Sequence, residues 1–148
     1  METAKKRVAD ALEQVVCHPA HDERAIARFF APDYQQVVDG VSLNYAQFVE
    51  HMAALKAITR RITLRILAAV VEGEQVFTHH LVEVEKRHGA DAQVEVFAHF
   101  TLAAGNIVRC EELTRLINGD ESDKALGKCA AQRPVNERVK RRPDGRRG

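Results

Sequence analysis

The sequence predicts an α+β domain, in which three helices are followed by a strongly curved antiparallel sheet that wraps around them and leaves an internal pocket. Three observations lead there. Hydrophobic residues recur every three to four positions up to about residue 58, the period switches to two from Arg61 almost to Asn118, and short glycine-bearing turns divide that second half into strands. Helices ahead of a run of consecutive strands is the α+β order, and long strands twist enough for the sheet to curl over helices on one face, giving a cone with an open mouth.

Each element follows from its local pattern. Val8, Ala11, Leu12, Val15 and Val16 form one stripe of an amphipathic helix over Thr3 to Val16. His18-Pro19-Ala20-His21 interrupts it, because proline disfavours helix at the residue before it, and Asp22 caps a second helix from Glu23 to Phe30. Ala31-Pro32-Asp33 closes that helix, and Tyr34 to Val38 reads as a short strand ending at the turn Asp39-Gly40. Ser42 or Asn44 caps a third helix, with Phe48, Met52, Leu55 and Ile58 along one side. Four long strands follow, over about 61–71, 76–85, 94–102 and 107–117, and the short turns between them force an antiparallel meander. Ile62, Leu64, Ile66, Ala68 and Val70 share one face of the first of these strands, and Val108, Cys110, Glu112, Thr114 and Leu116 share one face of the last.

Composition bounds the class. With 148 residues, 45% hydrophobic and 29% charged, the chain suits one domain over residues 1–132, and is too apolar to be disordered throughout. No run approaches the roughly 18 apolar residues of a membrane span, and the charged start carries no secretory pattern, so no membrane role and a cytoplasmic location are expected. Cys17, Cys110 and Cys129 lie too far apart for a metal knuckle and are odd in number, so they read as reduced thiols. Residues 133–148 hold seven basic against two acidic side chains and almost nothing to bury, which predicts a disordered, solubilising tail. No aromatic is interleaved there to stack on bases, so nucleic acid is not the expected partner. Nucleotide, serine-hydrolase and zinc-protease motifs are missing, and neither a metal nor another cofactor is expected.

The more uniformly apolar sheet face, with Ile62, Leu64, Ile66, Val82, Val84, Val94, Val96 and Phe100, is assigned to the concave, helix-covered side. Polar residues on that face are then the informative ones: Thr78, His80, Cys110, Glu112 and Thr114, joined by Tyr34 or Gln36 from the first strand and His51 from the third helix. An imidazole and a carboxyl in one dry cavity can do general acid–base work, which makes His80 and Glu112 the candidate catalytic pair and the other six candidate substrate contacts. The competing reading is structural, with His80 and Glu112 satisfying each other or the backbone. His79 and His80 point to opposite faces and cannot share a metal ion. Phe77, Leu81, Phe97, Leu113 and Ile117 mix with charges on the outer face, which reads as the interface of a homodimer.

The segment Phe30-Ala31-Pro32-Asp33-Tyr34, the strand and helix after it, and the hairpin Phe100 to Arg109 together resemble the nuclear transport factor 2-like superfamily. Within it, residues 5–120 look most like the SnoaL-like group, which includes polyketide cyclases and is related to ketosteroid isomerases. The resemblance implies a cone that holds a small apolar ligand, dimerisation through the sheet, and either a cofactor-independent enzyme that isomerises or cyclises an apolar carbonyl compound or a non-catalytic binding module. The isomerases' base and oxyanion donors do not map onto this chain: Asp39 reads as a turn residue, and no Tyr and Asp stand in matching strand positions.

Overall fold

The computed structural model describes residues 3–120 and 123. Thr3 caps α1 (Ala4–Ala11) by accepting from the Lys6 amide, and the helix runs on as a π-helical turn over Leu12–Cys17. Asp22 accepts from the Arg24 and Ala25 amides and so starts α2 (Glu23–Phe29). Asn44 and Gln47 form a reciprocal capping box at the head of α3 (Tyr45–Ile58), which decides between the two predicted caps.

Six strands form one sheet in the order β2-β1-β6-β5-β4-β3. They are β1 (Phe30–Val38), β2 (Val41–Leu43), β3 (Thr59–Glu72), β4 (Gln75–Lys86), β5 (Ala92–Ala103) and β6 (Asn106–Asn118). The predicted meander of β3 to β6 is present, and all its pairs are antiparallel. Two features at the other edge depart from the prediction. β1 lies parallel to β6, and a short β2 folds back on β1 around Asp39-Gly40, whose φ values of 49° and 85° suit a tight hairpin.

The end of α2 and the start of β1 also differ from expectation. Ala31-Pro32-Asp33 does not close the helix but belongs to β1, where the ladder to β6 is irregular between Phe30 and Gln35, and such an irregularity is where a strand tolerates proline. In β3 a bulge between Ile66 and Ala68 slips the alternation by one residue. Ala68 and Val70 therefore stand on the outer face, not the concave one. A second irregularity, opposite Thr101 and Leu102, buries Ile107 completely and displaces Val108 from the predicted inner set.

The helices pack on one face of the sheet. Val8, Ile26, Phe29, Phe48 and Met52 meet Val76, Val96, Phe100 and Leu102 there to form one core. Among the described residues nothing covers the opposite face, and Val70, Phe77, Phe97, Leu113 and Ile117 are between 42% and 65% exposed there. The basic tail predicted for residues 133–148 and Cys129 lie outside the described residues.

Candidate functional site

Between α3, the π-helical turn and the concave face lies a cavity of about 120 Å³. Twelve apolar side chains line it, from Leu12 and Val16 through Met52 and Leu55 to Val82, Val96 and Leu116. Six polar ones break that wall: Gln36, His51, His80, Glu112, Thr114 and Asp123. The cavity wall thus brings together five of the eight residues predicted from sequence.

The remaining three stand behind it. Tyr34 is buried, its hydroxyl donates to Gln36 Oε1 at 2.9 Å, and its ring packs edge-on against Phe30 and Phe48. Thr78 is 5% exposed and its Oγ1 lies 2.9 Å from His80 Nδ1. Cys110 is buried and its thiol donates to Glu112 Oε2 at 3.5 Å. None of the three lines the cavity, because alternate positions on a strand share a face while the sheet and helices close over one end of it.

His80 and Glu112 are not partners of each other. In register His80 faces Val96, which faces Thr114, while Glu112 faces Ala98, which faces Thr78. One whole strand separates the two side chains, roughly 10 Å across the sheet. The mutual pair considered from sequence is replaced by two separate polar positions, each with its own supporting group.

The electrostatics sort these groups. Burial in the apolar cavity raises the Glu112 carboxyl to about 7, the nearby Asp39 charge pushes the same way, and the Cys110 hydrogen bond opposes both. Burial lowers His80 to about 4, helped by the adjacent His79. Burial alone lowers His51 to about 4. At neutral pH the cavity therefore holds two neutral imidazoles and one carboxyl near its midpoint. The Cys110 thiol and the Tyr34 phenol are both pushed up, chiefly by burial, and stay protonated.

Two site residues were not picked out from sequence. Asp39, read as a turn residue, sits in that turn, but its carboxylate also accepts from the Thr114 amide at 2.9 Å and from the Thr114 hydroxyl. Asp123 is buried at the cavity wall and ion-paired to Lys86 at 2.8 Å. The strand alternation of Lys86 carries a signal for neither partner, because Asp123 lies beyond the last strand. Among the described residues no group of three His, Cys, Asp or Glu side chains could hold a metal ion, and no helix is long and apolar enough to cross a membrane.

On the outer face His79 stacks on Phe97 and His99 on Phe77, with ring centroids 4.2 and 4.1 Å apart. Glu95 accepts from His79 at 2.7 Å and from Arg115 at 2.9 Å.

Comparison with known proteins bears on the family and the fold. Residues 7–110 match the SnoaL-like domain. An uncharacterized protein of Schizosaccharomyces pombe is 29% identical over 106 residues, covering 72% of this chain and 82% of that one. Among solved structures, the wild-type IdmH of Streptomyces antibioticus, proposed to be a polyketide cyclase, superposes with a TM-score of 0.62 at 15% identity, covering 79% of this chain and 94% of that one. AclR of Streptomyces galilaeus, proposed to be a hydroxylase, gives 0.61 at 18%, covering 86% and 88%. A protein of Catenulispora acidiphila with a ketosteroid isomerase-like fold, in complex with trimethylamine, gives 0.62 at 16%, covering 86% and 97%. At these identities the superpositions establish a common fold.

Proposed function

The chain belongs to the SnoaL-like domain family, and from that premise we propose that it is a cofactor-independent enzyme moving a proton on a small carbonyl compound held in the cone. Glu112 is the proton carrier. The observation that carries this reading is its carboxyl, set in an apolar cavity and raised to about 7, where it gives and takes a proton with equal ease at physiological pH. An ordinary surface glutamate is fully ionised there and is a poor acid. His80, Gln36 and His51 line the same space and supply hydrogen bonds to the carbonyl, while Thr114 beside them gives its hydroxyl proton to Asp39.

Cavity size restricts the ligand. A void of about 150 Å³ accepts a benzene-sized molecule, so the enclosed part of this one suits a single six-membered ring or a short branched chain. The polyketide and hydroxylation roles proposed for the bacterial neighbours belong to those proteins. A second copy is the proposed partner on the outer sheet face, where Phe77, Phe97 and Leu113 are exposed among charges of both signs. A cytoplasmic location is part of this proposal, Cys17 and Cys110 forming no disulfide among the described residues.

The test is hydrogen–deuterium exchange at the α-carbons of cyclohexanone in deuterated buffer, followed by proton NMR. The protein should accelerate exchange, and Glu112→Gln should remove the acceleration while circular dichroism stays native. Exchange that Glu112→Gln leaves untouched rules the carboxyl out. Ketone binding with no exchange in the wild-type protein favours the binding module instead.

A further inference from the structure

Thr78 has no place in the cavity wall, yet it decides what the wall presents. Its hydroxyl is buried, and among the described residues its Oγ1 has one partner, His80 Nδ1, at 2.9 Å. A hydroxyl in that position has one proton to place. Were it to accept from an Nδ1–H, its own proton would be left in an apolar environment with no acceptor, which buried polar groups avoid. Donation from Thr78 to a bare Nδ1 satisfies both atoms. The ring proton then sits on Nε2, which carries no other hydrogen bond among the described residues and is not sealed off from the cavity that the ring lines.

We propose that Thr78 fixes His80 as the neutral Nε2–H tautomer, so that the cavity offers a hydrogen-bond donor to an acceptor oxygen of its ligand. His80 is then neither the base nor a charged acid. It polarises a carbonyl oxygen, Thr78 is a positioning residue that acts through it, and the two polar positions of the cavity divide the work between a donor and a proton carrier. The ligand class follows from the donor: the group that meets His80 is a carbonyl or ether oxygen, not an ammonium or another N–H. The charged groups near the ring do not change this. His79 and Glu95 pair on the opposite face, and Glu112 lies across β5 from it.

The assignment deepens the proposed function but is tested without any turnover. Nitrogen-15 NMR of the full chain at neutral pH, with His80 assigned by its disappearance in His80→Gln, reports which ring nitrogen carries the proton. The expected spectrum shows Nε2 protonated and Nδ1 bare but shifted by an accepted hydrogen bond. Thr78→Val should move the Nδ1 resonance to the value of an unbonded lone pair, and Thr78→Ser should restore it. A proton on Nδ1 in the wild-type protein, a charged ring, or an Nδ1 resonance that Thr78→Val leaves in place overturns the proposal. Cyclohexanone is then titrated as probe, with cyclohexylammonium as control, and should shift the Nε2–H signal while the ammonium does not. A ketone that fails to bind while the tautomer is as stated counts against the carbonyl-enzyme reading and leaves the Thr78 assignment standing.

Discussion

Replacing Glu112 by glutamine should stabilise the protein in mildly alkaline solution, because the cavity stabilises the neutral carboxyl and not the carboxylate. In the unfolded chain this group loses its proton near 4.5, whereas in the fold it keeps it until about 7. Between those values the folded protein binds more protons than the unfolded one, so this group's contribution is complete below about pH 4.5 and is lost as pH rises through 7. A shift of that size corresponds to about 3 kcal/mol, and the partial exposure of Glu112 to water reduces it toward 2. His51 and His80 act with the opposite sign. Their folded values of about 4 lie below the usual 6.5, so their contributions are present above 6.5 and lost as pH falls toward 4. Two histidines outweigh one carboxyl between about 4.5 and 6.5, so these three groups together raise stability with pH there and lower it only at the alkaline end. Taking the difference between wild-type and Glu112→Gln protein removes the histidines from the comparison. Urea unfolding followed by circular dichroism should show the two nearly equal at about pH 4.5, with glutamine ahead by about 2 to 3 kcal/mol at about pH 8. Identical pH profiles, or a variant that is weaker at pH 8, would show that the carboxyl is not held neutral by the cavity.

Three further outcomes follow from particular contacts. Asp39→Ala removes both acceptors of Thr114 and a negative charge near Glu112, so it should cost about 1 to 3 kcal/mol and lower the Glu112 midpoint in a carboxyl NMR titration; an unmoved midpoint would separate the two acids. Gly119 has φ of 145°, and an added Cβ would sit 2.7 Å from Asp123 Oδ2. Gly119→Ala should therefore cost about 1 to 3 kcal/mol in urea unfolding, and less once Asp123→Ala has removed the clashing oxygen; equal costs in the two backgrounds would place the cost in backbone strain and in the contacts with Ala92 and Leu116 at 3.2 and 3.3 Å instead. Phe97→Glu places charge among the exposed apolar residues of the outer face, and should turn a sedimenting dimer into a monomer at micromolar concentration with the fold intact. A wild-type protein that already sediments as a monomer removes the dimer.

How much of this was legible in the sequence depends on whether the signal is local. The faces of β4 and β5 were readable because their alternation runs unbroken through the site, so Val76, Thr78, His80, Val96 and Ala98 all turn inward as the period requires. β3 misled over Ala68 and Val70, since a bulge adds one residue without a composition of its own and every later side chain changes face. The parallel contact of β1 with β6 joins segments about 75 residues apart, and nothing near Gln36 announces Cys110 as its neighbour. Asp39 illustrates the same limit. Its turn chemistry was visible, while its hold on Thr114 depends on that non-local pairing.

The eight residues chosen from sequence divide in a way that period-two reasoning almost contains. Gln36, His80 and Glu112 reach the cavity, and each is supported by the residue two positions earlier on its own strand: Tyr34, Thr78 and Cys110. Spacing by two puts a pair on one face about 7 Å apart along the strand, close enough for the earlier side chain to bond the next one. The earlier member is buried and off the cavity wall in each case, so its one polar atom is committed to its neighbour and not to a ligand. Alternation alone selects both members and cannot rank them. The rank comes from where the helices close the cone, which is set by packing of Phe48 and Met52 against the sheet. Substitutions at Tyr34, Thr78 and Cys110 should accordingly retune the three groups in front of them, through the amide orientation of Gln36, the tautomer of His80 and the proton affinity of Glu112, where substitutions at Gln36, His80 and Glu112 remove those groups outright.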